Sequence, residues 1–238
     1  MYLASHGYIV VNLDMPYIGF VAYLDGRIIK PAPQFKVPPE LLAGNYAKVD
    51  EFFRAATELG VSDVRRTIQG LRDLQNNTQS PLYGHIDLQS MGIFGHSLGG
   101  RIAGAALAAH SELKAYISME GIAPAEVRQN GVTKPMAYLM SEGLVKFAMS
   151  NYKEAVPKRK GTVFITVLKD FGHNSLTDMP LTQAQSAKYA ISPTQGFIIA
   201  RSLLRRYFDY TLRHQSASKE WWRGEQIPES LVNTEVFE

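Results

Sequence analysis

Gly95-His96-Ser97-Leu98-Gly99-Gly100 is the segment of this chain best suited to nucleophilic chemistry. In a G-x-S-x-G elbow a strand turns abruptly into a helix, which holds the central serine at strained backbone angles with its hydroxyl exposed. Glycine on either side of such a serine leaves room for close backbone approach. The helix start that follows offers unsatisfied amides and the positive end of the helix dipole, and the Leu98 amide is the candidate donor to an oxyanion. The chemistry indicated is acyl transfer, with Ser97 attacking a carbonyl carbon.

A serine nucleophile needs a base, and in this architecture the acid and the histidine follow the serine in chain order. Three histidines come after Ser97. His110 closes the small-residue helix and His214 falls in the last helix, so both read as helix-end or surface residues. His173, in Phe171-Gly172-His173-Asn174-Ser175, lies in a short loop just past the last predicted strand and is the candidate base. His96 reads as a packing or pocket-lining residue whose ring points away from the serine's partner. The acid must sit at a strand end between elbow and base. Glu120, after Tyr116-Ile-Ser-Met119, and Glu142, after Leu139-Met-Ser141, both qualify. Asp170 reads as a residue that orients the histidine loop, and Asp178 as a cap for the stretch after it.

These residues require parallel strands that deliver their ends to one edge. Apolar runs at Tyr8–Asp14, Met91–Phe94, Ala115–Met119, Met136–Met140 and Thr162–Leu168 read as buried strands. Helical periods fall between most of them. Val61, Val64, Ile68, Leu71 and Leu74 line one face of a helix with Ser62 or Asp63 as its cap, and Ile102–His110 forms the small-residue helix. Phe197, Leu204 and Phe208 give the last helix its apolar face, with Arg201, Arg205 and Arg213 on the solvated side. The fold class expected is α/β, a mostly parallel sheet flanked by helices, in one domain over 1–238. Between Gly19 and Gly60, a connection holding Pro31, Pro33, Pro38 and Pro39 reads as a surface or rim excursion at about 20–60, with a helix from Glu40 to Leu59.

Composition narrows the function. In 238 residues, 25 basic against 22 acidic side chains leave a net charge of +3, too little for a nucleic-acid groove. The absence of cysteine excludes thiol catalysis and thiolate metal sites. No apolar run reaches the ~20 residues of a membrane-spanning helix, so stable membrane insertion is not expected. The clusters Lys158-Arg159-Lys160 and Arg201, Arg205, Arg206, Arg213 read as a solvated turn and helix face.

Taken together, Leu3–Asp14, the elbow at 94–100, Ser118-Met-Glu-Gly121, Lys134–Gly143 and Gly172–Asp178 resemble the platelet-activating factor acetylhydrolase family of α/β-hydrolases, in order from about residue 3 to about 212. The resemblance implies an α/β-hydrolase fold and a serine esterase that uses neither metal nor cofactor and acts on short-chain acyl esters or related lipids. It carries Ser97 and His173 over directly. It places the acid at Glu120, where the family has Asp, with Glu142 the alternative. It also implies that the first strands and the histidine-glycine oxyanion loop of the family would precede Met1, leaving the chain N-terminally shortened. The elbow would then have one oxyanion donor, Leu98, and a sheet open beside the elbow strand. Two functions compete on this basis: a serine-dependent ester hydrolase, and an impaired hydrolase-fold protein or fragment with a binding or scaffold role. The expected partners are a small ester or lipid and, at an open sheet edge, a second copy of the chain.

Overall fold

A computed structural model of the chain describes residues 1–38, 41, 48–182, 191–214 and 219–238. Contacts divide it into two units, one of Met1 and Leu3–Leu88, the other of Tyr2 and Gln89–Glu238.

The first unit opens with a single 3-10 turn, Ala4–His6, closed by Gly7 at φ 79°. The strand expected over 8–14 does not form. Ile9, Val10 and Val11 are 48%, 41% and 43% exposed and belong to no ladder among the described residues. Apolar side chains favour an extended backbone locally, but a strand also needs a neighbour to take its amides and carbonyls. The region expected to be a plain excursion holds a hairpin, β1 (Val21–Ala22) and β2 (Ile28–Ile29), with Val21 opposite Ile29. Its turn contains Asp25-Gly26, and Gly26 adopts φ 84°. Two helices follow, α1 (Val49–Phe52) and α2 (Arg54–Asn76). The expected helix 40–59 is thus broken at Phe53, and residues 39–40 and 42–47 lie outside the described part. Ser62 and Asp63 are not caps, because α2 starts at Arg54 and both sit in its interior; Val64 and Ile68 of the predicted face are buried, whereas Leu74 is exposed.

The second unit is built on five strands: β3 (Met91–His96), β4 (Leu113–Met119), β5 (Met136–Ser141), β6 (Val163–Leu168) and β7 (Val232–Phe237). They lie in the order β3-β4-β5-β6-β7, parallel from β3 to β6 and antiparallel at β7. Helices α3 (Leu98–Ala109), α4 (Ala125–Asn130), α5 (Glu142–Lys158), α6 (Met179–Thr182) and α7 (Pro193–Thr211) connect them. The fold is α/β, as the strand and helix alternation requires. Central strands read as unbroken apolar runs because both of their faces are covered. Accordingly, every residue from Met136 to Met140 is fully buried.

Three features of this unit depart from the sequence reading. His214 lies past the end of α7, at φ 50°, and is exposed. Glu142 does not end β5; it opens α5. The stretch beyond residue 212 adds to the fold: Trp221 is fully buried edge-on against Phe164 and Tyr207, and β7 pairs along the whole of β6, from Val163 opposite Phe237 to Leu168 opposite Val232.

Candidate active site

The elbow is a junction of two regular elements. β3 ends at His96, α3 begins at Leu98, and Ser97 between them sits at φ 54°, ψ −121°. A non-glycine residue at such angles is held there by its surroundings. The Ser97 amide donates to the Met119 carbonyl at 2.8 Å, and the Ser97 carbonyl accepts from the Arg101 amide at 3.2 Å. Because that Arg101 bond closes the first helical turn, the amides of Leu98, Gly99 and Gly100 have no partner within the helix. The Tyr116 hydroxyl donates to the Gly100 carbonyl at 2.8 Å and ties the turn to β4.

Crowding explains most of the glycines, but only one of the two on which the motif is usually read. A Cβ on Gly95 would collide with the Gly99 carbonyl, and one on Gly100 with the Ser118 hydroxyl. Gly99 itself faces open space. The tight partner on the far side is Gly121, whose Cβ would strike the Ser97 carbonyl.

Glu120 sits directly beyond β4, buried at 4% exposure and with φ 58°. Its amide donates to the Leu139 carbonyl at 2.9 Å. The Gly121 carbonyl behind it accepts from the hydroxyls of Ser118 and Tyr152, each at 2.8 Å, which fixes the turn. One carboxylate oxygen, Oε1, accepts the Ser141 amide. The other, Oε2, accepts the Ser141 hydroxyl at 2.9 Å and lies 3.3 Å from His173 Nδ1. Ser141 was not singled out by sequence. It is the cap of α5, with its Oγ accepting the Leu144 amide at 3.3 Å, and the signal that could have found it is its place at the end of the strand next to the one carrying Glu120.

His173 lies in the loop after β6, its side chain 48% exposed. Ser175 folds the loop: its amide donates to the Gly172 carbonyl at 2.9 Å and its hydroxyl accepts the Gly172 amide at 3.0 Å. Of the two glutamates open from sequence, the structure brings Glu120 to His173. Glu142 is exposed, and its carboxylate instead accepts the Asp170 amide at 3.3 Å. Asp170, at φ 65°, also accepts the Ile191 amide through its carbonyl at 3.3 Å, and the Asp178 carbonyl accepts the Leu181 amide at 2.9 Å in the first turn of α6.

His96 is not turned away as expected. Its Nε2 is 2.6 Å from the His173 carbonyl oxygen, and the two rings lie 4.7 Å apart at 51°. A carbonyl only accepts, so Nε2 carries the proton. Burial pushes the His96 pKa below the usual histidine value, and the neighbouring His173 adds to this, against the opposing pull of the carbonyl bond and the Glu120 charge. The Ser97 side chain makes no hydrogen bond among the described residues. Among those residues, no group of three or more His, Asp or Glu side chains is placed to hold a metal ion, and no helix is long and apolar enough to cross a membrane.

Ser97, Glu120, Ser141 and His173 all stand at the carboxyl ends of parallel strands, the edge where open α/β sheets place their ligands. Sheet, elbow and helix order are those of the α/β-hydrolase fold. A solved structure, the ferulic acid esterase from Streptomyces cinnamoneus, is similar to the chain with a TM-score of 0.69 and 22% identity over 93% of its length. The chain spans 63% of the length of that esterase. No protein-family model and no curated protein matches. These comparisons establish the fold and leave membership of the acetylhydrolase family unestablished.

Proposed function

We propose that the chain is a serine-dependent hydrolase of carboxylic esters that works through an acyl-enzyme. The observation that carries this reading is the Glu120–His173 contact at 3.3 Å, formed at strand ends beside a serine held at φ 54°. With Nδ1 turned to Glu120, Nε2 is the nitrogen left for the nucleophile. Ser97 Oγ attacks the ester carbonyl carbon while its proton passes to His173 Nε2. The negative charge on the carbonyl oxygen is met by the Leu98 amide and the start of α3. Collapse breaks the bond to the alkoxy group, which leaves as the alcohol with the proton from His173. Water then attacks the acyl-enzyme, giving its proton to His173, and the acid departs with Ser97 restored. Glu120 holds the imidazole in the required tautomer and stabilises the imidazolium between these steps.

The acyl preference proposed is for short chains, in line with the acetylhydrolase resemblance; esters of ferulic acid, the class in the similar esterase's name, are the competing substrates. A binding or scaffold role is the second reading, favoured by a Ser97 hydroxyl that makes no hydrogen bond among the described residues, although such bonds are often long in unliganded hydrolases. One experiment separates them. The purified chain is treated with a fluorophosphonate, the adduct is mapped by mass spectrometry, and turnover of p-nitrophenyl acetate, p-nitrophenyl octanoate and methyl ferulate is followed. The expected result is labelling of Ser97 alone, with acetate turned over faster than the other two, and loss of both labelling and turnover in Ser97→Ala. A folded chain that is neither labelled nor active would establish the scaffold reading.

A further inference from the structure

His96 occupies a place that neither the elbow nor the proposed reaction requires. It ends β3, one residue before the nucleophile, and its backbone is held by the ladder, where it stands opposite Met119 of β4. From this fixed point its side chain crosses to a loop 77 residues away and donates to the main chain of the base itself, at 2.6 Å. The two rings also meet, with centroids 4.7 Å apart and planes tilted by 51°, so His173 is contacted at its carbonyl and at its imidazole together. We infer that His96 is a positioning residue, a clamp that holds the His173 loop against the elbow and sets the distance between base and nucleophile.

The need for such a clamp follows from the loop. Ser175 folds it internally, and Glu120 reaches only the half-exposed imidazole ring. His96 provides a main-chain tie from the strand that carries the serine, so base and nucleophile move as one body. A donor with no charge suits this task, because a cation beside His173 would oppose the imidazolium that forms as Ser97 gives up its proton. Burial favours that neutral form of the His96 ring.

The inference rests on the proposed esterase activity for its kinetic consequence but not for its structural one, and the test uses both. His96→Gln keeps an N–H at the position of Nε2 and discards the ring. His96→Phe keeps the ring and discards the donor. For a clamp, His96→Phe lowers kcat for p-nitrophenyl acetate by about 10- to 100-fold, the scale expected when a reacting group is misplaced by a fraction of an ångström to one ångström. KM stays within about twofold, and His96→Gln recovers most of the loss. Hydrogen–deuterium exchange of peptides covering 169–178 rises in His96→Phe and stays near the parent rate in His96→Gln, with circular dichroism unchanged in both. The reverse order, Phe tolerated and Gln impaired in both measurements, would show that the ring merely packs and would overturn the inference. A parent chain without esterase activity would remove the proposed function alone, since the exchange pattern still decides whether His96 holds the loop.

Discussion

Glu120 and Glu142 each stand one residue beyond a parallel strand, and they end in opposite environments. Beyond β4 the backbone takes a left-handed step at Glu120, and Gly121 packs against the Ser97 carbonyl, so the carboxylate is driven inward to Ser141 and His173. Beyond β5 the chain passes straight into α5. Ser141 caps that helix and Glu142 becomes its first residue, exposed, where the helix dipole favours a carboxylate. A strand end therefore does not by itself bring a carboxylate to His173; the delay before the next helix does. The serine whose cap starts α5 and turns Glu142 outward is also the serine that holds Glu120.

This contrast can be broken most directly at the two carboxylates. Glu120→Gln is expected to lower kcat for p-nitrophenyl acetate by ~10³–10⁴-fold, whereas Glu142→Gln stays within about twofold. Equal losses, or the reverse order, would mean that His173 takes its partner from β5. The glycines behind the two residues come next. Gly121→Ala should destabilise the protein by about 1–3 kcal/mol in urea unfolding, because its Cβ meets the Ser97 carbonyl, while Gly143→Ala, with only the Ser141 hydroxyl at 3.7 Å, should be neutral or slightly stabilising. The smallest effect belongs to Ser141→Ala. Glu120 loses one of its hydrogen bonds and keeps the Ser141 amide, so a decrease of about tenfold in kcat is expected, with about 1 kcal/mol of stability lost at the α5 cap. A stability loss with kcat unchanged would assign Ser141 to the helix alone.

Much of this was legible in the sequence, since apolar runs and the elbow are local signals. The runs around 91–96, 113–119, 136–141 and 163–168 are strands, and Ser97 stands at a strand-to-helix turn. The failures have one physical origin: pairing is non-local. Tyr8–Asp14 has the residues of a strand but joins no ladder among the described residues, whereas Val232–Phe237, half of whose residues are exposed, is a strand because β6 lies beside it. The contact of His96 with His173 spans 77 residues and could not be read from either neighbourhood. Gly99 departs from the motif reading as well, because crowding at the elbow falls on Gly95, from the Gly99 carbonyl, and on Gly100 and Gly121, where the Ser118 hydroxyl of β4 contributes, and leaves Gly99 itself open.

Each strand of the larger sheet lies next to its predecessor in sequence. A chain emerging from the ribosome at roughly 5–20 residues per second can therefore lay β4 on β3, β5 on β4 and β6 on β5, without waiting for a distant segment to fill a place between them. Ser97, Glu120, Ser141 and His173 enter the growing sheet in that same order. The constellation is complete with the loop after β6, while β7 and the aromatic packing around Trp221 are still to be synthesised.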